Sequence, residues 1–141
     1  MSTEQNKATL RNWVEEAWNN GRVAVAQDLC AADYVLHDFS GPIRGATGLM
    51  GFLTAYRTGF PDVHADILDM VSEGDKVVWR VRMTGTHRGE FVGIPATGRS
   101  FDVEAIIISR FVNGRLTEDH VNYDRLGMMQ QLGVIPMPAA V

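Results

Sequence analysis

The stretch Arg115–Gly133, RLTEDHVNYDRLGMMQQLG, contains a predicted strand that is followed directly by a predicted helix. Successive side chains of a strand point to opposite faces, so the even-numbered positions of this one share a face. That face carries five side chains: Leu116, Glu118, His120, Asn122 and Asp124. A core-facing set that is this polar and titratable indicates a strand that lines a wet pocket. We therefore predict a small-molecule cavity beside it.

Three earlier segments show the same period of two and predict the strands Ala65–Ser72, Lys76–His87 and Arg99–Val112. Turn sequences separate neighbouring strands, and Asn113-Gly114 before Arg115 is the strongest short hairpin signal. The loop Gly89–Gly98 is rich in Gly and Pro and is long enough to form a rim or lid.

Helical spacing dominates the first part of the chain. Apolar residues from Leu10 to Trp18 follow one helix face, and the helix is predicted to stop at Asn19-Asn20-Gly21. Further helices are predicted at Val23–Cys30, Ala46–Thr58 and Arg125–Leu132, and an extended segment at Tyr34–His37 that enters a Gly41-Pro42 turn. Helices followed by antiparallel hairpins are typical of the α+β class, in which the helices cover one face of the sheet. We predict a single domain over residues 1–141, a curved antiparallel sheet wrapped around N-terminal helices into a cone whose open end is the pocket.

Composition excludes several classes of function. The 141 residues carry a net charge of −4 with scattered basic residues, which is not the footprint of a nucleic-acid binder. No apolar run is long enough to span a bilayer, and MSTEQNKATL lacks the charged start and apolar centre of a signal peptide, so we expect a cytoplasmic protein without membrane contact. The single Cys30 and the widely spaced histidines predict no metal site. The sequence contains no glycine-rich phosphate loop, so we expect no nucleotide site.

Four segments in order carry a family resemblance: WNNGRVAVAQDLCAADYVLHD, GATGLMGFLTAYRTGFPD, EGDKVVWRVRMTGTHRGEFVGIPATGR and NGRLTEDHVNYDRLGMMQQLG. The chain resembles the SnoaL-like polyketide cyclases (nogalonic acid methyl ester cyclase type) within the nuclear-transport-factor-2-like fold. The resemblance implies an intramolecular aldol ring closure without metal or nucleotide cofactor. It also implies that an aspartate near the end of the last strand is the acid/base.

The family pattern Glu-x-Trp-x-x-x-Asp matches Glu118 and Asp124, with His120 in place of Trp. The resemblance therefore assigns proton transfer to Asp124, whose pKa burial among Trp79 and Met83 would raise. Asp124 also stands directly before a predicted helix, where a capping role is the alternative. His120 is predicted to assist by hydrogen bonding to substrate or a water, or else to be a satisfied core histidine.

The predicted substrate is a bulky, mostly apolar, oxygenated molecule such as a polyketide. The side chains expected to contact it are Tyr34, His37, Phe52, Tyr56, Trp79, Met83 and Asn122. For His37, in a segment that lines the pocket mouth of relatives, a structural role stays open. The fold also predicts a homodimer or homotetramer.

Two other interpretations remain open at this stage, because one fold hosts many activities. An epoxide hydrolase, isomerase or hydroxylase-type enzyme is the first, and hydrolysis of an epoxide would need Arg80, Arg82 or Arg110 to face the cavity. The second is a non-catalytic binding or dimerisation module that pairs through the Val78–Arg80–Arg82 face.

Overall fold

Helices cover one face of a single sheet in this computed structural model, which describes residues 2–137; Met1 and residues 138–141 lie outside the described part. The helices are α1 (Thr3–Trp13), α2 (Ala26–Leu29), α3 (Gly45–Gly59) and α4 (Arg125–Gln131). A π-helical segment, Val14–Asn19, extends α1, and a 3₁₀ turn, Val23–Val25, precedes α2. The strands are β1 (Cys30–Asp38), β2 (Gly41–Arg44), β3 (His64–Glu73), β4 (Lys76–Thr86), β5 (Ser100–Val112) and β6 (Arg115–Tyr123).

The six strands form one curved, unclosed sheet in the order β2-β1-β6-β5-β4-β3. All neighbours are antiparallel except β1 and β6, which run parallel. The main core lies between the helices and the inner face of the sheet, and it includes Leu10 and Trp13 of α1, Leu53 of α3, Trp79 of β4 and Ile107 of β5. The predicted α+β class is confirmed. No helix among the described residues is both long and apolar enough to cross a membrane.

Local signals in the sequence explain where several elements begin and end. The Ser2 hydroxyl accepts from the Gln5 amide and the Gln5 side chain accepts from the Ser2 amide, which is the capping box that starts α1. Gly21 follows the first helical segment with φ of +78°. Asn113 and Gly114 both have positive φ, 50° and 78°, as the tight turn between β5 and β6 requires. The helix stop and the hairpin predicted at these residues are confirmed.

The sequence analysis missed β2 and predicted too short a β1. Gly41 and Pro42 indicated only a turn, yet Pro42 pairs with His37 in a short edge strand. Such a position tolerates proline, because an edge strand has one row of backbone groups without a partner strand. β1 has a mixed pattern of burial and an irregular register against β6 between Cys30 and Val35, so no period of two was visible there.

The loop Gly89–Gly98 is anchored rather than free. Phe91 is 2% exposed and its ring lies 4.8 Å from that of Tyr56 and 5.0 Å from that of Phe60. The amides of Arg88 and Gly89 both donate to the Gly59 carbonyl. No loop residue lines the cavity described below. The loop therefore packs on the C-terminal end of α3, beside the cavity.

A β-bulge in β6 decides which side chains face the core. Phe111 pairs with Leu116 and Arg110 pairs with Glu118, so Thr117 is an extra residue on the β6 side. Leu116 and Thr117 are both buried. Beyond the bulge the odd-numbered residues face inward, and these are Asp119, Val121 and Tyr123. The prediction that Glu118, His120 and Asn122 face the core is wrong, because the extra residue shifts the alternation by one.

Candidate active site

A cavity of about 80 Å³ lies between the helices and the inner face of the sheet. Trp18, Phe52 and Tyr56 line it from the helices, and Trp79 and Met83 line it from β4. The walls are apolar apart from a few side chains, and Asp119 is the one carboxylate among the described residues that line it. Ligand pockets usually measure ~300–1,000 Å³, so a bulky guest must displace some of these side chains.

Asp119 is held by two hydroxyl donors at the cavity wall. The Tyr34 hydroxyl donates to Asp119 Oδ2 at 2.6 Å, and the Ser109 hydroxyl donates to Asp119 Oδ1 at 2.5 Å. The Trp79 Nε1–H in turn donates to Ser109 Oγ at 3.0 Å. The carboxylate is 7% exposed. Both oxygens therefore have a neutral hydrogen-bond donor, and no cation forms an ion pair with Asp119 within residues 2–137.

Burial raises the pKa of Asp119 to about 6, because the charged form loses its hydration. The hydrogen bonds from Ser109 and Tyr34 act in the opposite direction and lower that pKa. Burial also raises the pKa of Tyr34 and that of the Cys30 thiol, the latter to about 12, and the Asp119 charge adds to both. Tyr34 thus stays a hydroxyl donor at neutral pH, while Asp119 is near the point where it can both accept and return a proton.

Asp124 has a different environment. Its Oδ1 accepts from the Gly127 amide at 2.8 Å, so the side chain is the N-cap of α4. It does not line the cavity. The structure thus favours the capping alternative for Asp124, and the carboxylate that the cavity presents comes from Asp119, five positions earlier on β6.

His37 and His120 lie on the outer face of the sheet. Their rings stack at 4.3 Å, and Glu118 Oε2 lies 2.7 Å from His37 Nε2 and 3.6 Å from His120 Nε2. The pKa of Glu118 is lowered, mainly because His37 hydrogen-bonds to its carboxylate. The exposed Asn122 shares this face. Contact of His37, His120 or Asn122 with a ligand in the cavity has no geometric support.

His37, Glu118 and His120 are the one set of potential metal-ligating residues that the described part of the chain brings together. Their ligand atoms lie within 4.8 Å of one another. However, the Glu118 carboxylate already bonds His37, and its other oxygen lies 3.5 Å from the Arg110 guanidinium. That neighbouring cation opposes a metal ion by charge repulsion.

Four of the residues predicted to contact substrate line the cavity, namely Phe52, Tyr56, Trp79 and Met83. Tyr34 does not line the cavity itself but donates a hydrogen bond to Asp119, which does. Substrate contact by these five side chains stays a prediction.

A second polar group borders the cavity at the far end of β6. The Tyr56 hydroxyl donates to the Tyr123 hydroxyl at 3.0 Å, and Arg125 Nη1 donates to the same oxygen at 3.0 Å. The Arg125 guanidinium also lies 4.1 Å from the centre of the Phe39 ring. Tyr56 and Tyr123 both line the cavity.

Comparison with known proteins agrees with this architecture. The sequence profile of the SnoaL-like polyketide cyclases matches residues 8–132. The chain belongs to the SnoaL-like polyketide cyclase family. This SnoaL-like chain is 31% identical over 128 residues to the aklanonic acid methyl ester cyclase DauD of Streptomyces sp. (strain C5). The aligned region covers 84% of this chain and 76% of that protein.

Solved structures support the same assignment. IdmH of Streptomyces antibioticus is 34% identical, with a TM-score of 0.77 over 92% of this chain and 99% of that one. A SnoaL-like protein of Jannaschia sp. CCS1 has a TM-score of 0.87 over 95% of both chains at 24% identity, which bears on the fold alone. The predicted family, the nuclear-transport-factor-2-like fold and the polyketide cyclase class of enzyme are confirmed.

Sequence reasoning missed Asp119 and Ser109 as site residues of this SnoaL-like cyclase. An unbulged hairpin closed by Asn113-Gly114 would place Glu118 opposite Ser109, whereas the bulge places Asp119 there. Ser109 did carry a signal. It is a hydroxyl on the inward face of β5, between Ile107 and Phe111, where an unpaired polar group would be costly.

The arginines that an epoxide hydrolase would need do not line the cavity. Arg80 bonds Asp69 and Glu104 on the outer face, and Arg82 bonds Asp102 there. Arg110 lies beside Glu118. The cation that this alternative requires is therefore not supplied by any of the three.

Proposed function

We propose that this SnoaL-like cyclase closes a ring of an aromatic polyketide methyl ester by an intramolecular aldol reaction, without a cofactor, and that Asp119 is the acid/base. The observation that carries the proposal is the placement of one hydroxyl-bound, desolvated carboxylate in the wall of an apolar cavity. The name of the relative DauD supplies the methyl ester, and the family supplies the polyketide class.

The proton transfers of an aldol closure suit a single carboxyl group. Ionised Asp119 removes a proton from a carbon next to a carbonyl, and the electron pair of that C–H bond forms an enolate. The enolate carbon attacks a ketone carbon of the same molecule, so a C–C bond forms and the C=O π bond becomes an alkoxide. The Asp119 carboxylic acid then returns its proton to the alkoxide oxygen, and the carboxylate is regenerated.

The neighbours of Asp119 support both halves of this cycle. A pKa of about 6 leaves the group ionised at neutral pH, yet a stronger base than an exposed aspartate. The Tyr34 and Ser109 hydroxyls fix the orientation of the two carboxylate oxygens. The apolar walls exclude water, which would otherwise hydrate the carboxylate and weaken it as a base.

The test is turnover of aklanonic acid methyl ester by Asp119→Asn and by the matched variant Asp124→Asn. We expect Asp119→Asn to lower kcat by about 10²–10⁴-fold, the usual effect of removing a general acid–base group. Asp124→Asn should keep turnover near the wild-type rate, since Asn is an equally good helix cap. Wild-type turnover in Asp119→Asn, or its loss in Asp124→Asn alone, would remove Asp119 from this role.

We also propose that the outer face of the sheet forms a contact between copies of the chain. Val78 and Ile108 are cross-strand partners on that face and are 37% and 40% exposed, and Ile106 beside them is 51% exposed. Adjacent exposed apolar side chains are typical of an interaction surface. This supports the expected homodimer or homotetramer.

A further inference from the structure

We propose that the Tyr123 hydroxyl, polarised by Arg125, is a binding subsite for an ester or ketone oxygen of the substrate at the cavity end opposite Asp119. The inference rests on the proposed function, because it takes Asp119 as the group that meets the reacting carbon. It adds to that function the place where a hydrogen-bond acceptor at the far end of the substrate is held.

The hydrogen bonds at Tyr123 leave its own proton free. The Tyr123 oxygen accepts from the Tyr56 hydroxyl and from Arg125 Nη1, both at 3.0 Å. A tyrosine oxygen has two lone pairs and one proton, so these two bonds use its acceptor capacity. No bond donated by the Tyr123 hydroxyl is formed within residues 2–137. Its side chain lines the cavity, where a bound ligand is the available acceptor.

Arg125 strengthens this donor. Its guanidinium bonds the Tyr123 oxygen directly and lies over the face of Phe39. Within residues 2–137 it forms no ion pair with a carboxylate, so its charge is not neutralised by a bonded anion. A cation at the oxygen draws electron density from the O–H bond, so the hydrogen bond that Tyr123 donates is strengthened by polarisation along the chain of bonds.

The end of the strand holds this group in place. Tyr123 is the last residue of β6 and Arg125 is the first residue of α4, and the Asp124 cap fixes the turn between them. Tyr56 holds the hydroxyl from the opposite wall. The subsite is therefore built from three elements, β6, α3 and the start of α4.

The distance between the two polar ends sets the length of the ligand. From Asp119 to Tyr123 the β6 register is regular, so about 13 Å of strand separates the two backbone positions. A single ring does not reach from one end to the other, whereas a fused polycyclic ring system with a side-chain ester does. Asp119 would then take the proton at one end while Tyr123 holds the oxygen at the other.

Two matched probes test the subsite by binding alone. One is an anthraquinone with a methyl ester side chain, and the other carries an alkyl chain of equal length in its place. Quenching of the tryptophan emission reports binding, since Trp13, Trp18 and Trp79 line the cavity. The wild-type chain should bind the ester about tenfold more tightly, the equivalent of about 1.4 kcal/mol, which is within the range of one hydrogen bond.

Tyr123→Phe should remove this preference, and Arg125→Met should reduce it. Tyr34→Phe, the same chemical change at the Asp119 end, should retain it. Preference for the ester that is unchanged in Tyr123→Phe would overturn the subsite, and failure of the wild-type chain to bind either probe would overturn the ligand class. Asp119→Asn separates the two proposals: if it still turns over substrate, the acid/base assignment fails, while the ester preference is judged on Tyr123→Phe.

Discussion

Asp119 is buried and has no ionic partner in the described part of the chain. In this it differs from the carboxylates there that form ion pairs or cap a helix. Asp69, Asp102 and Glu104 form exposed pairs with arginines, and Asp124 caps α4. At Asp119 two neutral hydroxyls supply the hydrogen bonds, so desolvation outweighs them and the pKa rises. Perturbed carboxyl groups of this kind are frequent at functional sites.

The pH dependence of turnover follows from the direction of that shift. The base form of Asp119 is lost as pH falls through about 6, so kcat/KM should decline below that pH. The Ser109 hydrogen bond lowers the pKa, so Ser109→Ala should move the midpoint of the decline to higher pH. A pH–rate profile of both proteins measures this. A midpoint that is unmoved or lower in Ser109→Ala would contradict the assignment.

At the scale of elements, consecutive residues at the junction of β6 and α4 cap the helix and place a hydroxyl at the cavity. Asp124 satisfies the amide of Gly127 at the start of α4, and this cap sets the direction in which Arg125 leaves the strand. The side chain that the family pattern singles out thus caps α4, whereas Tyr123 lines the cavity and Arg125 bonds the Tyr123 hydroxyl.

The cap makes a prediction about stability. Asp124→Ala should lower the free energy of unfolding by about 1 kcal/mol, because the Gly127 amide loses its partner, while Asp124→Asn should be close to wild type. Urea denaturation of the three proteins measures the difference. Equal loss in both variants would show that the negative charge, rather than the hydrogen bond, is what the helix requires.

The helices and hairpins were predictable because each has a local cause. The capping box at Ser2, the positive φ at Gly21 and the tight turn at Asn113-Gly114 act over a few residues. β2 was not predictable, since Gly41-Pro42 favours a turn and only pairing with β1 makes it a strand.

At the scale of the whole molecule, the cavity is smaller than its expected guest. Ala105 lines it and is 7% exposed, with Val81 and Tyr123 as cross-strand partners. Ala105→Phe should fill the space and weaken binding of the ester probe at least tenfold, while the melting temperature is retained. Val112→Phe, on the exposed face of the same strand, is the control and should bind normally. Normal binding to Ala105→Phe would place the ligand elsewhere.

The outer face of the sheet provides a separate prediction. Ile108→Lys should shift the proposed dimer or tetramer toward the monomer, because a lysine would be buried opposite Val78 in the contact between copies. Leu126→Lys, at an exposed position of α4, should leave the molar mass unchanged. Light scattering after size-exclusion chromatography measures both. A monomeric wild-type chain would remove the proposal.

The sequence by itself determined the α+β class, the order of most elements, the family and the apolar side chains of β4 that line the cavity. Only the tertiary structure decided which carboxylate enters it. Alternation predicts the face of a side chain as long as no residue is inserted, and Thr117 is such an insertion. It is recognisable only against the register of β5, because a bulge is a property of two paired strands. That pairing turns Glu118 and His120 outward and places Asp119 against Ser109 and Tyr34.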